Sequence, residues 1–243
     1  MKNLFNNSPY AKRPEGSSKS RLFFIQTFGT VRNLSNKIFI LFLLSSFILS
    51  SCTPAAQTPQ TEVITVYATS AAQPWLTELY ICADNLSAVL SITADEPDIT
   101  LRVGEPEIII SPVYQIDEEE ILIVTNRESP LQNLTLTEVQ ELFAQGNDSA
   151  QVWVYASDAD LQMAFDQLVM KGRSVTSSAR LAASPQQISD LLNAENASVG
   201  ILPKHWKTGT AREVFSAGFV PVLVVTKEEP HGVILNLISC LQK

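Results

Sequence analysis

Beyond Glu62, the apolar positions of this chain switch repeatedly between a period of two and a period of about 3.6 residues. The β-branched and alternating segments predict strands at Val63–Tyr67, Asp98–Arg102, Glu107–Ser111, Glu120–Thr125, Val152–Tyr155, Ser198–Leu202 and Phe219–Val225. Between them, helical spacing predicts a helix from Pro74 to about Leu90, with Trp75, Leu79, Cys82, Leu86 and Leu90 on one face. It predicts another from Leu134 to Gly146, and others over Ala159–Lys171, Pro185–Asn193 and Pro230–Leu241. Ser70, then Thr135 or Thr137, then Ser157 or Asp158 are the cap candidates, and Gly146 is a stop. Strands alternating with helices build βαβ units, so the expected fold class is α/β with mostly parallel sheets. Two successive stretches of such units fit two small lobes.

The pattern before Glu62 is different. From Ile38 to Leu49 the chain is almost wholly apolar, preceded by Arg32 and Lys37. Twelve residues are too few for a helix across a bilayer core of ~30 Å, which takes ~20, so the run predicts the apolar stretch of an export signal. Leu49-Ser50-Ser51-Cys52 resembles a bacterial lipobox, and the resemblance makes Cys52 the lipidated first residue of the mature protein; the alternative is an ordinary signal peptide with an incidental cysteine. Residues 1–30 are long for the segment ahead of such a run, and initiation at Val31 from a GTG codon would leave a compact one. Thr53–Thr61 lacks charge and large apolar side chains, so it predicts a flexible tether. The expected organisation is a signal peptide over 1–51, a tether over 52–61 and a folded domain over 62–243, anchored to the extracytoplasmic face of a membrane.

Charge sharpens this picture. Residues 1–51 carry seven basic side chains and one acid, a net +6; the rest of the chain carries ten basic and 24 acidic side chains, a net −14. An acidic body repels phosphate backbones, so nucleic acid is excluded as an expected partner. Outside the signal segment two cysteines remain, Cys82 and Cys240, each in a helical pattern. In an oxidising compartment they either pair, tying the last helix to the first, or stay as separately buried thiols.

Several segments in order resemble the phosphate-binding-like extracytoplasmic solute-binding proteins of ABC transporters, whose type II fold has two α/β lobes joined by crossing strands. They are Tyr67–Pro74, Asp98–Arg102, Ile121–Asn126 with Leu134–Phe143, Val152–Val169 and Ala197–Pro203. The resemblance covers nearly all of 62–243 and implies one lobe of about 62–115 plus 220–243 and another of about 116–219. It implies an anion held between the lobes at helix N-termini. By position it assigns Thr69 and Ser70 to the hydroxyl contacts and Asp98 to the family's acid. Where the family has an Arg and a Gly-rich turn opening a helix, this chain reads Tyr155-Ala-Ser-Asp-Ala-Asp160. No Arg is present there, and Asp158 and Asp160 oppose a dianion. The stretch between Leu90 and Asp98 is too short for the family's second helix.

The candidate ligand residues are therefore Thr69, Ser70, Asp98, Arg102, Ser157 and Asp158. For Thr69, Ser70, Ser157 and Asp158 the competing role is helix capping, and for Arg102 a surface position at a strand end. Asp117–Glu120 lacks the alternating ligands and Gly of a calcium loop and predicts a solvated turn. His205 and His231 have no ligand partner at metal spacing, and nucleophile elbows, phosphate loops and Cys–His arrangements are absent, so neither cofactor nor enzymatic activity is expected. The expected function is solute binding for an ABC-type permease, with a small-molecule ligand; the alternative is a non-transport adaptor or sensor lipoprotein that keeps the fold and binds a protein.

Overall fold

The computed structural model describes residues 62–242, so the expected signal peptide, Cys52 and the tether lie outside the described residues. The order is β1 (Val63–Ala68), α1 (Gln73–Asn85), β2 (Val89–Ile92), β3 (Ile99–Val103), β4 (Val113–Asn126), α2 (Leu136–Gln145), β5 (Gln151–Val154), α3 (Asp160–Phe165), β6 (Arg180–Leu181), α4 (Pro185–Ala194), β7 (Ser198–Pro203), β8 (Ala211–Thr226) and α5 (Gly232–Leu241). A π-helical turn, Asp166–Met170, extends α3, and a 3₁₀ turn, Lys204–Trp206, follows β7.

The eight strands form one mixed sheet in the order β2-β1-β3-β8-β4-β7-β5-β6. Both flanks are parallel, as the βαβ pattern predicts: β1 with β2 and β3 on one side, β5 with β6 and β7 on the other. The flanks are joined by the long antiparallel pair β4 and β8, β8 pairing with β3 of one flank and β4 with β7 of the other. This pair shifts register three times along its length, and such irregularities bend and twist a ribbon. Gly218, opposite Ile121, has φ of +122° where a Cβ would meet nothing within 4 Å, so backbone conformation and not space explains glycine there.

Helix ends follow local chemistry where the sequence offers it. At α2 the Thr135 hydroxyl accepts from the Glu138 N–H while the Glu138 carboxylate accepts from the Thr135 N–H, a reciprocal cap, and Gly146 ends the helix at φ of +80°. Helix α1 departs from expectation: it stops at Asn85, Ser87 turns the chain at φ of +55°, and Val89 and Leu90 pair with β1 as strand β2. Only a turn separates β2 from β3. Glu107–Ser111 is not a strand; Ile108, Ile109 and Ile110 sit in an irregular loop, exposed by 72%, 59% and 90%.

Alternation on β1 and β3 buries Ile64, Val66, Ile99, Leu101 and Val103 beneath helices, with Trp75 and Leu79 of α1. At the centre, Ile121 to Val124 are buried on both faces, matching an unbroken apolar run. The Cys82 and Cys240 sulfurs are bonded at 2.02 Å, joining α1 to α5 across 158 residues. Among the described residues no helix is long and apolar enough to cross a membrane.

Candidate functional site

The chain runs from β1 to β2 on one side and from β2 back across β1 to β3 on the other. The crevice outside the carboxyl ends of β1 and β3 is therefore the switch point where open α/β sheets take ligands. Thr69 directly follows β1, and Val103 ends β3. Into this crevice the opposite flank delivers Asp160, the first residue of α3. The Thr69 hydroxyl donates to Asp160 Oδ2 at 2.6 Å and the Val103 N–H donates to the same oxygen at 3.0 Å. Asp160 Oδ1 accepts from the Leu161 N–H at 2.9 Å, and the residue is only 6% exposed.

The supports of Asp160 are equally specific. Helix α3 lies against β3, where Gly104, with φ of +78°, leaves a Cβ position 3.6 Å from Ala164 Cβ. The Gln162 side-chain Oε1 accepts from the Tyr155 N–H, and the Tyr155 hydroxyl donates to the Ile201 backbone carbonyl at 2.8 Å. Burial, reinforced by the charge on Asp160, holds the Tyr155 phenol well above its ordinary pKa and keeps it neutral.

Of the six candidate ligand residues named from the sequence, only Thr69 reaches this point through its side chain. Ser70 lies in the following turn, and Ala72, without a side-chain bond, occupies the N-cap of α1, so neither hydroxyl caps the helix. Asp98 belongs to the other end of the strands: its Oδ2 accepts from the Thr65 N–H at 2.8 Å and hydroxyl at 2.6 Å, tying the entry of β3 to β1. That placement corrects its assignment to the cleft, because a residue before a parallel strand lies far from the strand's carboxyl end. Arg102 alternates with Leu101 and Val103, and its guanidinium donates to the Gly104 carbonyl at 3.0 Å and the Glu105 carbonyl at 3.4 Å. Desolvation lowers its pKa, and the charge of Asp160 offsets part of that. Ser157 and Asp158 stand exposed in the turn before α3, whose N-cap is Ala159; they neither cap it nor join Thr69.

A second set of contacts closes the flanks beside the first. The Trp206 indole N–H donates to the Ala71 carbonyl at 3.0 Å, and the Trp75 indole N–H donates to Asp117 Oδ2 at 3.0 Å. The Trp75 ring packs against His205 with centroids 4.8 Å apart, and His205 Nδ1 bonds Glu119. Asp117–Glu120 is thus no solvated turn. It lies within β4, paired with Phe219 to Val222 of β8, and strand alternation turns Glu119 inward. Burial raises the Glu119 pKa and the bonds from His205 lower it in part, whereas Lys204 and Ser216 hold the Glu120 carboxyl below its usual range. The run leads into Ile121 without Gly, Pro or Asn, which is the sequence signal for a continuous strand.

Two cavities lie away from Asp160: one of about 610 Å³ beside Gln145–Val152, Ser178 and Ala197, and one of about 140 Å³ lined by Arg102 and Ile108–Ile110 among others. Among the described residues no group of three or more His, Cys, Asp and Glu is placed to hold a metal ion.

No family model matches the sequence, and no curated protein matches it either. Solved structures do match. A phosphate ABC transporter substrate-binding protein with bound phosphate from Clostridium perfringens superposes with a TM-score of 0.64 at 13% identity, over 74% of this chain and 93% of that one. An ABC-type phosphate transport receptor from Vibrio cholerae gives 0.57 at 13% identity, over 74% and 93%. The regulatory domain of CcmR from Synechocystis PCC6803, in complex with 2-PG, gives 0.58 at 13% identity, over 75% and 96%. At these identities the likeness speaks to architecture alone. The chain has the α/β fold of the type II periplasmic-binding-like proteins, with the switch-point crevice between its flanks occupied by its own Asp160.

Proposed function

We propose that this chain is a lipid-anchored extracytoplasmic protein that keeps the binding-protein fold and works as a non-transport adaptor or sensor, acting by binding a protein partner and not by catalysis. The observation that carries this reading is the Asp160 carboxylate, which takes the Thr69 hydroxyl and the Val103 N–H. A phosphate entering there would find both donors engaged and a buried negative charge beside it, with several kcal/mol of repulsion at about 4 Å and an intermediate dielectric. The contacts of Trp206 with Ala71 and of Trp75 with His205 add protein-to-protein links between the flanks beside this point. The likeness to the CcmR regulatory domain is compatible with sensing on this architecture.

The second reading, supported by the likeness to two phosphate transport proteins, is a solute-binding protein of an ABC-type uptake system. Its two lobes, about 62–115 plus 220–243 and about 116–219, would close on an uncharged or cationic ligand in a cleft that Asp158 and Asp160 make acidic. One screen separates the two. The purified full chain is melted with phosphate, sulfate, molybdate, amino acids, sugars and metal ions, where a ligand at 100 times its dissociation constant stabilises by ~2.7 kcal/mol. The adaptor reading expects no shift and a protein partner recovered by crosslinking in membranes; a clear shift with one solute class overturns it in favour of uptake.

A further inference from the structure

We propose that Asp160 is an internal ligand: Thr69 and the Val103 N–H form a carboxylate-binding position whose occupant is supplied by the chain itself, and which accepts a small external carboxylate once Asp160 is removed. This rests on the reading of the crevice given above and extends it to the chemistry of the position.

Three observations converge. The two donors come from one flank and the acceptor from the other, 91 and 57 residues apart in sequence, so the bond is a clasp between flanks and not a local turn. Both donors aim at one oxygen, Oδ2, while Oδ1 is held by the neighbouring Leu161 N–H. The carboxylate therefore receives three hydrogen bonds from neutral groups and is nearly enclosed, which is how a bound carboxylate is held in a protein site. The position is also the switch-point crevice, the place in an open α/β sheet where strand ends leave unpaired donors.

The same geometry sets the ligand class. A monoanion with planar oxygens reproduces what Asp160 presents to these donors. A dianion would bring twice the charge to a pair of neutral donors, since the Arg102 guanidinium is committed to the Gly104 and Glu105 carbonyls. Formate and acetate should thus fit better than inorganic phosphate.

The test compares the full chain with its Asp160→Ala variant in melts with formate, acetate and inorganic phosphate, against chloride at equal ionic strength. The wild type is expected to show no anion-specific shift. The variant should melt lower and regain about 5 °C with formate or acetate at about twenty times the dissociation constant. That gain should vanish in the Asp160→Ala, Thr69→Val double variant. If Asp160→Ala is unfolded at 25 °C, acetate but not chloride should restore its near-ultraviolet circular dichroism. A folded alanine variant with no carboxylate-specific gain, an unfolded one that no carboxylate restores, or a gain that survives loss of the Thr69 hydroxyl overturns the proposal. A solute shift in the wild type alone would count against the adaptor reading and leave this comparison intact.

Discussion

Reducing the bond between Cys82 and Cys240 perturbs the fold without changing a side chain's position in the sequence, and its cost can be worked out from the closed loop. The cysteines are 158 residues apart. The chain-entropy model gives the open denatured chain about 17 cal/mol/K more entropy for such a loop, or about 5 kcal/mol at 25 °C. Unfolding entropy of about 2.1 cal/mol/K per residue over the described domain is about 0.4 kcal/mol/K, so reduction should lower the Tm by about 13 °C. Helix α5 keeps its own apolar contacts, since Leu237, Ile238 and Leu241 are buried. The reduced protein should therefore stay folded at 25 °C while its last helix becomes easier to detach. The assay is a thermal melt of oxidised and dithiothreitol-treated protein, paired with limited proteolysis read by mass spectrometry. Melts that coincide within about 2 °C, or alkylation of both thiols in unfolded but unreduced protein, would refute the reasoning.

Three further outcomes follow from particular residues. Cys52→Ser should move the protein from the membrane to the soluble fraction on cell fractionation, whereas equal membrane retention would remove the lipid anchor from the proposal. Glu119 has a carboxyl pKa raised chiefly by burial, so it binds protons more tightly folded than unfolded. Its contribution to stability is full below the ordinary glutamate range and is lost as pH rises through its folded value. The Tm of Glu119→Gln relative to wild type should thus rise as pH increases above the ordinary glutamate range, and a flat difference would contradict the assignment. Thr135→Ala, which removes the reciprocal cap of α2, should cost about 1 kcal/mol in urea unfolding with an unchanged m value.

Much of the fold could be read along the chain because it depends on short-range patterns. The alternation in Val63–Ala68 and Ile99–Val103, the helical face of Val139, Leu142 and Phe143, and the Thr135 and Gly146 ends of α2 each record a local choice. Local pattern failed where pairing decided. Val89 and Leu90 continue a helical spacing, yet β1 offers them a ladder; Ala211–Gly218 has weak strand character, yet the far half of β4 recruits it. Ile108–Ile110 has strong strand character and pairs with nothing in the sheet, because the chain must return across β8 to begin β4.

The site shows the same division more sharply. The sequence alone determined that the helix-opening stretch after β5 carries acids and neither Arg nor Gly, and that Thr69 stands at the end of the first strand. Only the tertiary structure decided that Asp160, and not Ser157 or Asp158, meets Thr69, and that Asp98 serves the opposite strand end. Composition and spacing set which charges and hydroxyls a chain owns. Which of them meet across 91 residues depends on how two flanks of one sheet are brought together, and the flanks are joined by the long β4 and β8 pair, whose register shifts bend and twist such a ribbon.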